Sequence, residues 1–117
     1  MCITRFKIIL YLCIKQPVKY FISNDQMAIG ALQAARRLGL NVPEDLGIVG
    51  FDDIPEAAYF YPSLTTIRQD TRKLGAMAVD QISAIIQAQQ IGDILEPSIS
   101  WVEPRLIVRK SSVRNGK

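Results

Sequence analysis

Residues 18–53, VKYFISNDQMAIGALQAARRLGLNVPEDLGIVGFDD, decide how this chain folds. Val18-Lys19-Tyr20-Phe21-Ile22 is a short run of β type, and Ser23-Asn24-Asp25-Gln26 behind it reads as a helix start. Ser23 with Gln26 three residues on fits a capping box, and Asn24 or Asp25 could cap equally well. From Met27 the period becomes helical. Met27, Ala31, Leu32, Ala35 and Leu38 recur at steps of three and four and make one apolar face. Arg36 and Arg37 complement the helix dipole in the last turn, and Gly39 suits the position after the helix. After the connection Leu40–Asp45, the run Leu46–Phe51 is apolar without alternation, as in strands of parallel sheets. Strand, helix and strand in this order predict a parallel pair with a right-handed crossover.

Working outward on the C-terminal side, Pro55 and its neighbouring acids suit the first turn of a short helix to about Tyr59. Tyr61-Pro62-Ser63 breaks it, and Leu64–Gln69 reads as a further strand. Asp70 caps a long helix to about Gln90, with Leu74, Ala78, Ile82, Ile85 and Ile86 as its apolar stripe, and Gly92-Asp93 ends it. Ser98–Val102 and Leu106–Val108 are β-like, and Ser111–Lys117 is polar and expected to fray. On the N-terminal side, Ile8–Ile14 is seven apolar residues, against the roughly 20 a membrane span needs. Lys15-Gln16-Pro17 follows it rather than a small-x-small cleavage site, so a strand ended by Pro17 is expected in place of a signal core.

With 117 residues, 49% apolar and 21% charged, the composition is that of a globular domain. The chain contains no histidine, which removes Ser-His-Asp and Cys-His catalysis and histidine-bearing zinc sites. The net charge of +3 points at first to an anionic partner. Its distribution reverses that. Residues 1–20 hold four bases and no acid, and residues 109–117 another four and no acid; residues 21–108 hold six bases and eleven acids. Cys2 and Cys13 lie in an unpatterned segment and are read as reduced thiols.

Catalytic chemistry finds little support. Asp52 and Asp53 are consecutive, so their side chains diverge. No phosphate loop is present, the serines lack a histidine partner, and the carboxylates are too dispersed for a metal. The expectation is no enzyme activity, no catalytic residue, no cofactor and no metal. Ligands of open α/β sheets bind beyond the carboxyl ends of the strands, and a parallel crossover puts Asn24-Asp25 and Asp52-Asp53 on one sheet edge. These groups suit a sugar or a base, or they only cap the helices that follow. Tyr59-Phe60-Tyr61 is either a partner surface or core.

The stretch ISNDQMAIGALQAARRLGLNVPEDLGIVGFDDIPEAAYFYPSLTTIRQD, with LGAMAVDQI and EPRLIVRKSS after it, resembles the C-terminal part of the LacI/GalR family of bacterial transcriptional repressors. The motifs occur in order over roughly residues 16–113. The resemblance implies a parallel-sheet, three-layer α/β/α lobe of the type I periplasmic-binding-protein-like fold, here incomplete. It divides the chain into an unmatched segment 1–15, a part of an effector-binding and dimerisation domain at 16–110, and a disordered tail at 111–117. It implies effector contacts from Asn24, Asp52 and Gln69, and dimer contacts from Ala28, Ile29, Leu32, Ala58, Tyr59 and Phe60. The effector would be a small sugar- or purine-like molecule. The resemblance also implies a cytoplasmic homodimer without membrane contact, touching DNA only through a helix-turn-helix that this sequence does not contain. On this reading the chain is a C-terminal fragment of a LacI-type regulator, from a truncated or frameshifted gene, that does not hold operator DNA by itself. The helix near 70–90 would lack most of the sheet it packs on in such relatives. A module for dimerisation alone and a piece of a periplasmic sugar-binding protein are the alternatives.

Overall fold

The computed structural model describes residues 18–114. The strand expected at 8–14, both cysteines and the segment 1–15 lie outside them, as do residues 115–117. The described chain forms two compact units, one of residues 18–68 with 106–114 and one of residues 69–105.

In the first unit β1 (Val18–Phe21) and β2 (Leu46–Val49) pair in parallel, with Val18 opposite Leu46 and Phe21 opposite Val49. Helix α1 (Asp25–Arg37) is the crossover between them. Asn24 caps it: the side-chain Oδ1 accepts from the Met27 amide at 2.8 Å. Of the three candidate caps this is the one used. Gly39, at φ +70°, ends the helix, with Leu40 N–H donating to Ala35 O at 3.0 Å and Gly39 N–H to Arg36 O at 3.1 Å. That is the Schellman pattern, and it needs a residue that tolerates the left-handed conformation.

Helix α1 buries Ala28, Ala31, Leu32 and Ala35 on the strands, where Ile22, Leu46, Ile48, Ala57 and Leu64 complete the core. Three alanines on the packed face let the helix lie close to the sheet. Met27 and Leu38, expected on that face, are 54% and 41% exposed. The buried stripe runs through Ala28 instead of Met27, because Met27 stands in the first turn beside the cap and Leu38 is already the C-cap.

A 3-10 helix (Pro55–Tyr59) stands where the short helix was expected. Strand β3 (Thr66–Arg68) extends the parallel arrangement through a bridge between Val49 and Thr65, and it pairs with β4 (Arg105–Ile107). The result is a partial α/β piece with parallel strands.

The expected fraying from Ser111 onward is corrected at its start. Ser111 is fully buried. Its amide donates to Ser63 O at 2.9 Å and its carbonyl accepts from the Ile48 amide at 2.8 Å. Its hydroxyl donates to Ile48 O at 2.6 Å and accepts from the Thr65 amide at 2.8 Å. A serine that polar composition assigns to a tail is here bonded to two separate segments, β2 at Ile48 and the stretch Ser63–Thr65, neither of them near it in sequence.

The second unit is built on α2 (Thr71–Gln90), capped by Asp70, whose Oδ1 accepts from the Lys73 amide at 2.9 Å. Gly92, at φ +74°, ends it in a second Schellman pattern, Asp93 N–H to Ala88 O and Gly92 N–H to Gln89 O. Leu74, Ile82, Ile85 and Ile86 of its expected stripe are each 45–57% exposed. A groove of about 500 Å³ runs between its C-terminal half and residues 93–98. Residues 98–102, expected as a strand, form none; Gln81 Nε2 donates to Ser100 Oγ at 2.9 Å instead.

Candidate functional site

The carboxyl ends of β1 and β2 carry the polar clusters, and the parallel register puts both on one edge. The Asp25 amide donates to Phe51 O at 2.9 Å, joining the two loops directly beside Asn24 and Asp52. Phe21 and Phe51, one at each strand end, meet edge to face with ring centres 6.2 Å apart.

Three carboxylates stand in these loops, and their environments differ. Asp25 is fully buried. Its Oδ1 accepts from the Thr66 hydroxyl at 2.6 Å and its Oδ2 from the Ile54 amide at 2.9 Å. The space it occupies depends on Gly50: a Cβ there would collide with Asp25 Oδ1 and approach Leu64 Cδ2 to 3.1 Å. Asp25 thus ties the start of α1 to the loop after β2 and to β3.

Asp53 has a side chain only 3% exposed, with Arg68 Nε 2.5 Å from its Oδ2 and Arg109 Nη1 2.8 Å from its Oδ1. Burial pushes its pKa up, but Arg109 and Arg68 together outweigh burial and hold the carboxyl below its ordinary value.

Asp52 differs from both. It is exposed, and among the described residues no side chain bonds to its carboxylate. Its backbone is firmly held, the amide donating to Ile67 O at 2.9 Å, at a left-handed φ of +103°. Asp53 follows at φ +51°. Two consecutive left-handed non-glycine residues are uncommon, and they cluster where a side chain has to be aimed.

The edge therefore holds Asn24 and Asp52 together. Asn24 is half-buried and uses its Oδ1 as the helix cap. Gln69 follows β3 at once and belongs to the second unit, so it is described apart. Of the expected dimer residues, Ala28 and Leu32 are core and not surface, at 0% and 7% exposure. Ile29 and Phe60 are half-buried and Ala58 is exposed. Tyr59, at 87%, is open to solvent, as is Tyr61 beside it at 95%.

Asp25 and Asp53 were expected on this edge, but as ligand groups or helix caps rather than as ties between segments; Arg68, Arg109 and Ser111 were not expected there at all. A signal existed for Asp53 only: one of two adjacent acids behind a buried strand has to turn inward, and an inward acid needs cations. Among the described residues no cluster of His, Cys, Asp or Glu could hold a metal, and no helix is long and apolar enough to cross a membrane.

The periplasmic binding protein-like domain family matches residues 7–112, which reaches into the segment 1–15 expected to be unmatched. The transcriptional repressor PurR of Edwardsiella ictaluri is 39% identical over 98 residues, covering 83% of this chain and 27% of its own length. The lac repressor dimer bound to operator and the anti-inducer ONPF has a TM-score of 0.66 at 37% identity, over 82% of this chain and 32% of that one. The transcriptional regulator CelR in complex with cellobiose has a TM-score of 0.73 at 27% identity, over 94% of this chain and 32% of that one. The chain thus spans about a third or less of the length of the relatives it matches. The parallel crossover, the GFDD turn behind β2 and these likenesses agree: this chain belongs to the periplasmic binding protein-like domain family, in the form that LacI-type transcriptional repressors carry.

Proposed function

We propose that this chain is an effector-sensing and pairing portion of a LacI-type transcriptional regulator, taking a sugar- or purine-like molecule at the edge formed by Asn24 and Asp52. Asp52 carries the reading. Of the three carboxylates at this edge, Asp25 and Asp53 are spent on protein donors, and Asp52 alone is exposed and aimed by a held backbone. A carboxylate accepts from two hydroxyls or ring N–H groups, which is the donor pattern of a sugar or a purine. The Asn24 amide nitrogen, not used by the cap, adds a donor. The role is regulatory rather than catalytic and cytoplasmic, and operator contact is assigned to other parts of the regulator, since residues 21–108 carry five more acids than bases.

Titration of the 117-residue chain with cellobiose and with hypoxanthine by calorimetry tests this. One of the two is expected to bind, and Asp52→Ala is expected to weaken it at least about tenfold, since a hydrogen bond to a charged acceptor contributes about 1.5–3 kcal/mol. Absence of binding to both would refute the site.

A second reading, a pairing module without an effector, is favoured by the exposure of Tyr59 and Tyr61. Ile29, Ala58, Tyr59 and Phe60 would then form the contact surface, with Ala28 and Leu32 supporting it from inside. A stable dimer in sedimentation that ignores both ligands would support this reading over the first.

A further inference from the structure

One ionic contact joins three points of the chain that lie far apart in sequence. Asp53 stands on the turn behind β2. Arg68 is the last residue of the first unit before the chain passes into residues 69–105, and Arg109 stands three residues after the chain returns at Leu106. The Asp53 carboxylate takes one arginine on each oxygen. Arg109 is itself fixed. Its Nη1 also donates to Leu64 O at 2.8 Å, its amide donates to the Thr65 hydroxyl at 2.8 Å, and its carbonyl accepts from the same hydroxyl at 2.9 Å. Arg68 is looser, with its side chain 55% exposed.

The turn that Asp53 anchors is strained. Asp52 and Asp53 both hold left-handed backbone, which an L residue leaves unless its surroundings fix it. Three restraints do so: the Asp52 amide on Ile67 O, the Asp53 amide on the Thr66 hydroxyl at 3.3 Å, and the paired Asp53 carboxylate. The first two hold the backbone to β3. Only the third reaches both Arg68 and Arg109.

We propose that Asp53 is a positioning residue: held between Arg68 and Arg109, it sets the direction in which Asp52 presents its carboxylate, and ties that direction to the two points where the chain leaves and re-enters this unit. The functional consequence rests on Asp52 being the effector ligand. A molecule that displaces Asp52 then pulls on Arg68 and Arg109 through one carboxylate, and a shift at either arginine re-aims Asp52.

Amide hydrogen exchange on the full chain, with Asp53→Asn against the parent, tests this without a ligand. Asparagine keeps the shape, but its amide nitrogen would face an arginine. The expected result is selective. Protection of the Asp52 amide falls about tenfold or more, while the Ile22 amide, bonded to Val49 O, and the Ile48 amide, bonded to Ser111 O, change by less than about twofold. An equal fall at all three amides would reduce Asp53 to general stability, and no fall at Asp52 would remove it from the turn; either overturns the proposal. Should Asp53→Asn not fold, Arg68→Gln at an exposed side chain gives the same selective loss at smaller size, and no change there overturns the proposal as well. Because the readout needs no ligand, failed titrations with cellobiose and hypoxanthine would count against the effector reading alone.

Discussion

Removing the Asp25 carboxylate is expected to destabilise the first unit strongly, and the size of the effect follows from its partners. Asp25→Ala takes away the acceptor for the Thr66 hydroxyl and for the Ile54 amide. Thr66 is fully buried, so water does not replace the lost acceptor there. Each stranded donor costs about 1–3 kcal/mol, or about 2–6 kcal/mol for the two. A small domain has about 5–15 kcal/mol in total, so this is a large share of it. Asp25→Asn is the informative control. Its oxygen can serve the Ile54 amide while its nitrogen donates to the Thr66 hydroxyl, which can turn to accept; about 1–2 kcal/mol should be lost. Urea unfolding followed by circular dichroism measures both. With a slope of about 1–3 kcal/mol per molar urea, the alanine variant should lose at least about 0.7 M of midpoint, and the asparagine variant clearly less. Equal losses, or an alanine cost below about 1 kcal/mol, would refute the argument that this carboxylate joins α1, the loop after β2 and β3.

Three further expectations rest on other contacts. The Asp53 carboxyl is held below its ordinary pKa in the fold, so its ion pairs add stability above the unfolded value of about 3.9. That stability is lost as pH falls through the folded value, and Asp53→Asn should flatten the acid limb of a urea-midpoint profile taken from pH 7 down to pH 2. Asp52→Gly should raise stability by about 1 kcal/mol, because glycine holds φ +103° without strain, while abolishing effector binding; a loss of stability would show that the Asp52 side chain is needed for folding. Ser111→Ala strands the Thr65 amide, at a cost of about 1–3 kcal/mol in the same urea assay, and an unchanged midpoint would mean that the segment after β4 is not held as described.

Local chemistry was enough for the elements of residues 18–53. Cap, helical period, the glycine after the helix and the unalternating strand each act within a few residues, and the observed β1, α1 and β2 follow them. The placement of Asn24 and Asp52 on one edge was legible for the same reason: strand direction in a parallel crossover follows from the order of elements. From the resemblance, the helix near 70–90 was expected to lose most of its sheet and to pack its apolar stripe elsewhere; Leu74, Ile82, Ile85 and Ile86 are instead about half exposed. The misplacement of Met27 and Leu38 on the packed face has one cause. Met27 and Leu38 have the right period and the wrong position relative to the helix ends, and period alone says nothing of where packing stops.

What only the tertiary structure decided is which polar groups are spent. Asp25, Asp52 and Asp53 are alike in sequence: three acids beside strand ends. The fates of Asp25 and Asp53 depend on Thr66, Arg68 and Arg109, which lie 15 to 56 residues from the acids they bind and arrive through β3 and the segment after β4. Ser111 makes the same point, its composition suggesting a tail and its four hydrogen bonds placing it in the core. Sequence order determines which groups reach one edge of the sheet. Whether a carboxylate there binds a ligand or holds the fold is decided by the desolvated donors that long-range packing brings to it.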